Sequence, residues 1–384
     1  MNTKRNIWFS DYVLIVVFIL IICSAFVQQY AGFLSPLPNQ ENRKLSEKPA
    51  FNINRLDPFP AAYETFYNDH FAFRNHFVKW YAFINYNWFK KSPYPDQVIL
   101  GNEGQLFLVP NELDTYQGKT LLSDEDLSKV RNEFTYRKKY CFDKGIEYFV
   151  VICPTKYTVY PEHLPWYVLP SGDQSKTDQF IDIVRETGNT VIDLRGTFIQ
   201  AKDSLGDQLF WPTDNHWSEV GAFIAYQEIM KHVSIRFPEL HTYQFSDYSI
   251  KPYTRNGGNL ASIVNMQEKI QDQRFKFKAL YPTLTSMIKP SPYPLPDKMD
   301  PNNYFLGFEM DSGELPRLLV VHDSFGKIIQ PFLKDSFSRT VYIWDKWQYQ
   351  LNEPIVEAEQ PDVYITLIVE SLIPGMIGHI NENK

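Results

Sequence analysis

The chain has 384 residues, enough for one large domain or two of ordinary size. Hydrophobic residues make up 44% and charged residues 22%, which excludes a disordered chain and calls for a packed body. The formal net charge is −7 with no run of five like charges, which excludes the basic footprint of a nucleic-acid binder.

The first predicted element is a membrane anchor over residues 1–30. Tyr12 to Val27 is uncharged and almost wholly apolar, and with Trp8, Phe9 and Tyr30 at its margins it reaches the ~20 residues that cross a bilayer. Lys4 and Arg5 precede it and the next basic residue is Arg43. The positive-inside rule then places the N-terminus in the cytoplasm and the body outside. A cleaved signal peptide is the competing reading. Against it, "SAFVQQYAGF" has no good small-x-small site, and "LIIC" before Ser24 is a poor lipoprotein box.

Residues 31–95 form the next region. Up to about residue 60 they are rich in Pro and Asn and read as an extended linker. From Ala61 to Lys90 aromatics recur at three- and four-residue steps without Pro or Gly, the mark of one or two amphipathic helices. A helix pair this short buries too little apolar surface to stand alone, so it is expected to pack on the body. His70 and His76 read as part of a polar helix face, not as ligands.

Residues 96–384 alternate strands with helices. "DQVILGNEGQLFLV" is a hairpin, and "LSDEDLSKVRNEFTYRKKYCFDKG" a helix that Gly145 stops. Strand "IEYFVVICP", loop "TKYTVYPEHLP", helix "SKTDQFIDIVRETG" and strand "TVIDLR" follow. Later come a helix from Ser218, the strand-turn-helix "LPRLLVVHDSFGKIIQPFL", and strands "RTVYIWD" and "PDVYITLIVES". This order predicts a doubly wound, mostly parallel α/β sheet. Residues 240–315 break the rhythm and read as an insertion with room for antiparallel strands. Cys141 and Cys153 fit no zinc spacing. They could pair outside the cytoplasm, or Cys153, ending an apolar strand, is a buried thiol. No phosphate-binding glycine fingerprint appears, and neither a metal nor a cofactor is expected.

Two short stretches carry chemistry. "LLVVHDSFG" puts Ser324 just past an apolar strand and just before a helix. Sites of doubly wound sheets collect at such strand ends, and a helix N-terminus favours developing negative charge. Alone, Ser324 and Asp323 would be ordinary helix caps. "FWPTDNHWSEV" supplies the complement: His216 to take the serine proton and Asp214 to fix the imidazole. Trp211 and Trp217 flank the pair, as sugar-stacking platforms or as core. The 16% aromatic content suits aromatic-lined carbohydrate grooves, but an aromatic core is the plainer reading.

"TDNHW" together with "HDSFG" resembles the SGNH-hydrolase-like proteins of the alginate O-acetylation type and the related DHHW proteins. "ENRKLSEKPAF", "FYNDHFAFRN", "CPTKYTVYPEHLP" and "GGNLASI" look like further family segments, so the resemblance runs from about Glu41 to Glu370. It implies an SGNH-like three-layer α/β/α fold and a triad of Asp214, His216 and Ser324. Three positions depart from the pattern. Asn215 replaces a His, His322 replaces the usual Gly before Asp-Ser, and Asn259 stands where Asp is common. His322 could crowd the turn or donate a proton. Asn259 could serve as an oxyanion donor or only shape a loop. Lys156 could orient substrate or neutralise a surface carboxylate.

The resemblance implies an anchored, extracytoplasmic O-acetyltransferase acting on hydroxyls of an exported polysaccharide. Acetyl-CoA is cytoplasmic, so a membrane-bound O-acyltransferase is implied as the partner that supplies acetyl. Two alternatives stand beside it: a carbohydrate acetylesterase with the same triad, and a non-catalytic polysaccharide-binding subunit.

Overall fold

The structure, a computed structural model, describes residues 9–34, 44–51, 53, 57–289, 291–296, 299–311, 314–345 and 347–380. Lys4, Arg5, Trp8 and part of the expected linker lie outside the described residues. The chain divides into two compact units, Met1–Tyr94 with Ser262–Met266, and Pro95–Ala261 with Gln267–Lys384.

The first unit is helical. Phe9–Ala31 is one helix, and its Ser10–Gln28 stretch has mean hydropathy 2.5 and is not buried, as a bilayer-crossing segment requires. The helix Pro58–His70 starts before Ala61 because Pro58 and Pro60 occupy its first turn, where a missing N–H costs nothing. Arg74–Ile84 follows and ends in a π-helical turn, Asn85–Phe89. His70 Nδ1 bonds Phe66 O at 2.9 Å within its own helix.

Among the described residues the second unit holds eleven strands. β1 (Val98–Leu100) and β2 (Leu106–Leu108) form the expected hairpin, with Ile99 opposite Phe107. The central sheet uses β3 (Glu147–Cys153), β4 (Thr190–Asp193), β7 (Thr285–Ile288), β8 (Phe305–Met310), β9 (Arg317–His322), β10 (Arg339–Ile343) and β11 (Val363–Val369). Their order is β4-β3-β11-β9-β10-β8-β7. The first five are parallel, and β8 and β7 add antiparallel at one edge. β5 (Tyr248–Asn256) and β6 (Gln271–Ala279) form a separate antiparallel ribbon. The stretch 240–315 is therefore an insertion only in part, since it also completes the sheet edge. β8 hid because it is covered unevenly and carries Gly307 at its centre.

The parallel strands are apolar throughout because both faces are covered. Phe149, Val151, Val320 and Ile365 face the helices Leu194–Leu205, Glu219–Val233 and Gly326–Leu333. Val150, Ile152, Val321 and Ile368 face Asp124–Asp143, Lys176–Glu186, Glu353–Glu359 and Ile373–Gly378. Ser123 and Ser175 begin two of these helices with full capping boxes. β4 stops at Asp193 because that side chain caps the next helix through Arg195 N. The layers also settle the cysteines. Cys141 lies in the core on one face and Cys153 in the core on the other, both buried and free, so the pairing is corrected to two inert thiols. Burial pushes the Cys141 thiol up to about 12.

The chain leaves β3 toward β4 on one side and β9 toward β10 on the other, with β11 laid between β3 and β9. The carboxyl ends of β3, β11 and β9 thus meet at the place where crossovers diverge, the usual site of a crevice in such sheets.

Candidate active site

Ser324 sits at the carboxyl end of β9, followed within two residues by the helix Gly326–Leu333. Asp323, fully buried, builds this turn. Its Oδ1 accepts from Phe325 N at 2.8 Å, and its Oδ2 accepts from Val369 N at 2.7 Å and Tyr349 Oη at 2.8 Å. One carboxylate thereby closes the turn and ties β9 to the end of β11. Gly326 is required by a neighbour: a Cβ there would lie 2.4 Å from the His322 ring.

His322 is not a second proton donor. It is buried, its Nδ1 donates to Asp323 O at 2.5 Å, and Nε2 lies 3.4 Å from Gln330 Nε2. Burial drives its pKa down to about 4. The ring is a neutral packing group, and it does crowd the turn, which Gly326 accommodates.

Asp214 and His216 sit on a loop closed at its neck by a β-bridge between Phe210 and Trp217. His216 Nδ1 is 2.7 Å from Asp214 Oδ1, and His216 Nε2 is 2.8 Å from Ser324 Oγ. An ionised carboxylate only accepts, so Nδ1 carries the proton and Nε2 is left to accept from the serine hydroxyl. Burial pushes the Asp214 carboxyl up, but the hydrogen bond and charge of His216 and the N–H groups of Asn259 and His216 outweigh it. The result is a pKa of about 2. Asp214 is buried, whereas His216 and Ser324 are half-buried and open to a ligand.

The loop is held from three directions. From one side comes Lys156, fully buried, whose Nζ donates to Leu106 O at 3.1 Å, Trp211 O at 2.6 Å and Pro212 O at 2.9 Å. Pro212 O also accepts from Leu106 N at 2.8 Å, so the β1–β2 hairpin is stitched to the loop. Both expected roles of Lys156 are corrected: it faces neither substrate nor a surface carboxylate. Burial lowers its pKa to about 7, against the pull of Asp214, Glu112 and Asp272.

From the second side comes the "GGNLA" segment. Gly258 N donates to Thr213 Oγ1 at 2.7 Å, Asn259 N to Asp214 Oδ2 at 3.2 Å, and Leu260 N to Thr213 O at 3.1 Å. A Cβ on Gly258 would stand 2.5 Å from Asp214 Oδ2, so this position is open only to glycine. The Asn259 side chain is paired with Asn215: Nδ2 donates to Asn215 Oδ1 at 2.6 Å, and Oδ1 accepts from Asn215 N at 3.3 Å. Asn259 shapes the loop, and its oxyanion role is not what this geometry serves.

The third support is Glu112, which sequence reasoning missed. It is buried, its Oε1 accepts from Asn215 Nδ2 at 2.9 Å, and its Oε2 has no hydrogen-bond partner among the described residues. Burial raises its pKa to about 8, so it is a neutral acid at pH 7. A lone Glu at the start of a short helix gives no signal in sequence. Thr213 Oγ1 also donates to Asp272 Oδ2 at 2.7 Å, a tie to β6 equally invisible in the chain order.

The two indoles are corrected as sugar platforms. Trp217 is fully buried, stacked on Phe198, and donates Nε1–H to Phe325 O at 3.1 Å. It locks the His216 loop to the Ser324 turn. Trp211 is 9% exposed, with the Arg274 guanidinium 3.9 Å above its ring and Nε1 donating to Glu219 Oε2 at 3.1 Å. Away from the triad, Glu103, His163 and Asp207 bring ligand atoms within 4.8 Å of one another. His163 Nε2 and Asp207 Oδ1 already meet at 3.0 Å, so this group satisfies itself as an ion pair or hydrogen bond.

With this geometry in place the relatives can be set beside it. Residues 98–290 match the family described as SGNH hydrolase-like domain, acetyltransferase AlgX. The chain belongs to this family. The match contains Lys156, Asp214, His216 and Asn259 and ends before Ser324, which only the fold brings to the same site. The probable alginate O-acetylase AlgJ of Pseudomonas aeruginosa is 27% identical over 211 residues, 53% of this chain and 50% of that protein. Its namesake from Pseudomonas fluorescens is 28% identical over 185 residues, 46% of this chain and 43% of that one. The alignments thus span about half the length of these relatives. Among solved structures, PatB1 of Bacillus cereus with a sulfonyl adduct covers 72% of this chain and 95% of its own, with TM-score 0.53 and 14% identity. That likeness is one of fold.

Proposed function

We propose that the protein is a serine O-acetyltransferase that moves an acetyl group, through an acyl-enzyme on Ser324, to a hydroxyl of an exported polysaccharide. The observation that carries the reading is the unbroken chain Asp214–His216–Ser324, at 2.7 and 2.8 Å. Family membership and the names of the alginate O-acetylase relatives supply the acetyl group and the polysaccharide.

The steps follow from the contacts. Ser324 Oγ attacks the acetyl carbonyl while His216 Nε2 takes its proton. The carbonyl oxygen gains charge, and the Ser324 N–H, which has no acceptor among the described residues, is available to it. Asp214, held ionised, steadies the imidazolium. The donor's bond to acetyl breaks, and Nε2 returns the proton to the leaving group. In the second half a sugar hydroxyl gives its proton to Nε2 and attacks the acetyl-serine. The acetyl–Oγ bond breaks, and Ser324 recovers its proton from His216.

We read the helix Phe9–Ala31 as a retained anchor that holds this site outside the cytoplasm, with acetyl delivered across the membrane by a membrane-bound O-acyltransferase. A reading as acetylesterase has its own support, the half-exposed Ser324 and His216, which water can reach. A sugar hydroxyl wins over water only if bound and oriented, where effective molarities of ~10⁵ M or more become available.

The test is mass spectrometry of the protein with an activated acetyl ester, with and without glycan acceptors. Transfer gives an acetyl adduct on Ser324 that is discharged to the glycan. Release of free acetate with every acceptor, together with ready deacetylation of acetylated polymer, establishes the esterase instead. No adduct on Ser324 removes both.

A further inference from the structure

The ribbon β5–β6 and the helices Glu219–Val233 and Gly326–Leu333 enclose a cleft of about 780 Å³. This volume is within the range of ligand-binding pockets. Its placement matters more than its size. Those helices begin at the two catalytic loops, and the cleft opens against the first turn of each. Glu219 lies three residues past His216, and Ile328 four residues past Ser324. One turn of helix is ~5 Å of rise, so Glu219 and Ile328 bring one wall of the cleft within about a turn of the loops that carry His216 and Ser324, although no triad residue lines it. Arg274 of β6 covers Trp211 on the catalytic loop, and the next residue, Phe275, lines the cleft.

The lining is of two kinds. Tyr248, Tyr253, Phe275 and Tyr281 supply ring faces and phenol hydroxyls. Glu219 stands at the catalytic end, and Lys334 and Asp335, paired at 2.7 Å, line another part of the wall. Tyr248 Oη and Tyr281 Oη meet at 2.8 Å, Glu219 accepts from Trp211 Nε1 and Asp335 is paired with Lys334, so a hydrocarbon chain laid here would shut these groups from water with only those partners, which is costly for the carboxylates. A sugar ring satisfies both kinds, offering C–H faces to the aromatic rings and hydroxyls to the polar groups. Tyr253 is 41% exposed, so its ring is accessible as a platform.

We propose that this cleft is the acceptor site: it binds a run of sugar rings and brings one hydroxyl to the acyl group on Ser324. The assignment rests on the acyl-transfer reading above for its role, and on the cleft's lining for its ligand. Trp211 and Trp217 are withdrawn into the core, and the sugar platform belongs to the ribbon.

The experiment uses the full chain in nanodiscs, with isothermal titration by hexamannuronate, cellohexaose and laurate. The expected result is binding of at least one hexasaccharide that Ser324→Ala leaves unchanged. Tyr253→Ala weakens it about tenfold, the scale of one lost aromatic platform, and Tyr253→Phe restores it to within about threefold. Binding of neither sugar, binding of laurate alone, or equal sugar affinity in wild type and Tyr253→Ala overturns the proposal. Acetylation of Ser324 by an activated ester is measured on the wild-type samples. If Ser324 stays unmodified while Tyr253 still governs sugar binding, the transfer reading fails and the glycan cleft stands.

Discussion

The proposed nucleophile and the proposed base of this site are held in different ways. Ser324 is placed by regular structure: a buried strand ends, one carboxylate closes the turn, and a helix begins. Asp214 and His216 ride on an irregular loop with no strand beneath them. Buried polar contacts from Lys156, Gly258, Asn259, Asn215 and Glu112 hold it. Backbone geometry is redundant, because many bonds define one strand end. A polar network is not, since each buried group left unpaired costs ~1–3 kcal/mol. The serine side should therefore tolerate change outside its turn, and the histidine side should fail from residues that never touch substrate.

The largest effects come from the groups that both sides serve. Ser324→Ala and His216→Ala should each cost ~10³-fold or more in acetyl transfer, with Asp214→Asn somewhat less severe. A folded Ser324→Ala protein that keeps most of its activity would falsify the assignment of the nucleophile.

The contrast itself is tested by two glycines. Gly258→Ala puts a methyl into the Asp214 carboxylate, and Gly326→Ala puts one into the His322 ring. The first should cost ~100-fold in activity, comparable to a 1 Å misplacement of the base. The second should show mainly as ~1–3 kcal/mol of stability, as overpacking does. Denaturant melts beside activity assays separate the two. Equal activity losses would erase the distinction.

Lys156→Met should lower stability by about 3 kcal/mol, because the carbonyls of Leu106, Trp211 and Pro212 lose a buried donor. Its signature lies in activity that remains low under conditions where the variant is folded. A folded variant with normal activity would show that the hairpin alone fixes the loop.

Smaller and more specific is a pH effect at Glu112. Its carboxyl is raised to about 8 in the fold from an ordinary 4.5, so the folded protein binds more protons between these values. Its contribution to stability is full below about pH 4.5 and is lost as pH rises through 8. Glu112→Gln, which cannot ionise, should gain on wild type steadily across that window and run parallel to it below pH 4.5. A stability difference independent of pH would mean that Glu112 is ionised in the fold. The smallest expected effect is none: reducing agent should leave the melting temperature unchanged, since Cys141 and Cys153 lie in cores on opposite faces of the sheet.

What could be read from sequence follows the same division. The alternating pattern, the capping serines and the strand-turn-serine motif are local, and local chemistry pointed to the parallel sheet and to the residues proposed as the triad. Asp214 and His216 were legible because they sit two apart in one loop. Their supports were not, because Glu112, Lys156 and Gly258 come from elements far apart in the chain. Trp211 and Trp217 misled for a related reason. An indole beside a catalytic pair reads as a platform, and only packing against Phe198 and Arg274 reveals it as core. β7 and β8 were taken for insertion because an edge with one thinly covered face lacks the continuous apolar run of its neighbours.

The caging of Lys156 has a chemical consequence as well as a mechanical one. An amine whose pKa has fallen to about 7 is partly uncharged at neutral pH, and an uncharged amine is a far better acyl acceptor than any sugar hydroxyl. Set loose beside an acetyl-serine, such a lysine would end each catalytic cycle as a stable amide. Three carbonyls engage this nitrogen and no solvent reaches it, so on the acyl-transfer reading proposed above the contacts that steady the loop would also keep this amine from taking the acetyl group.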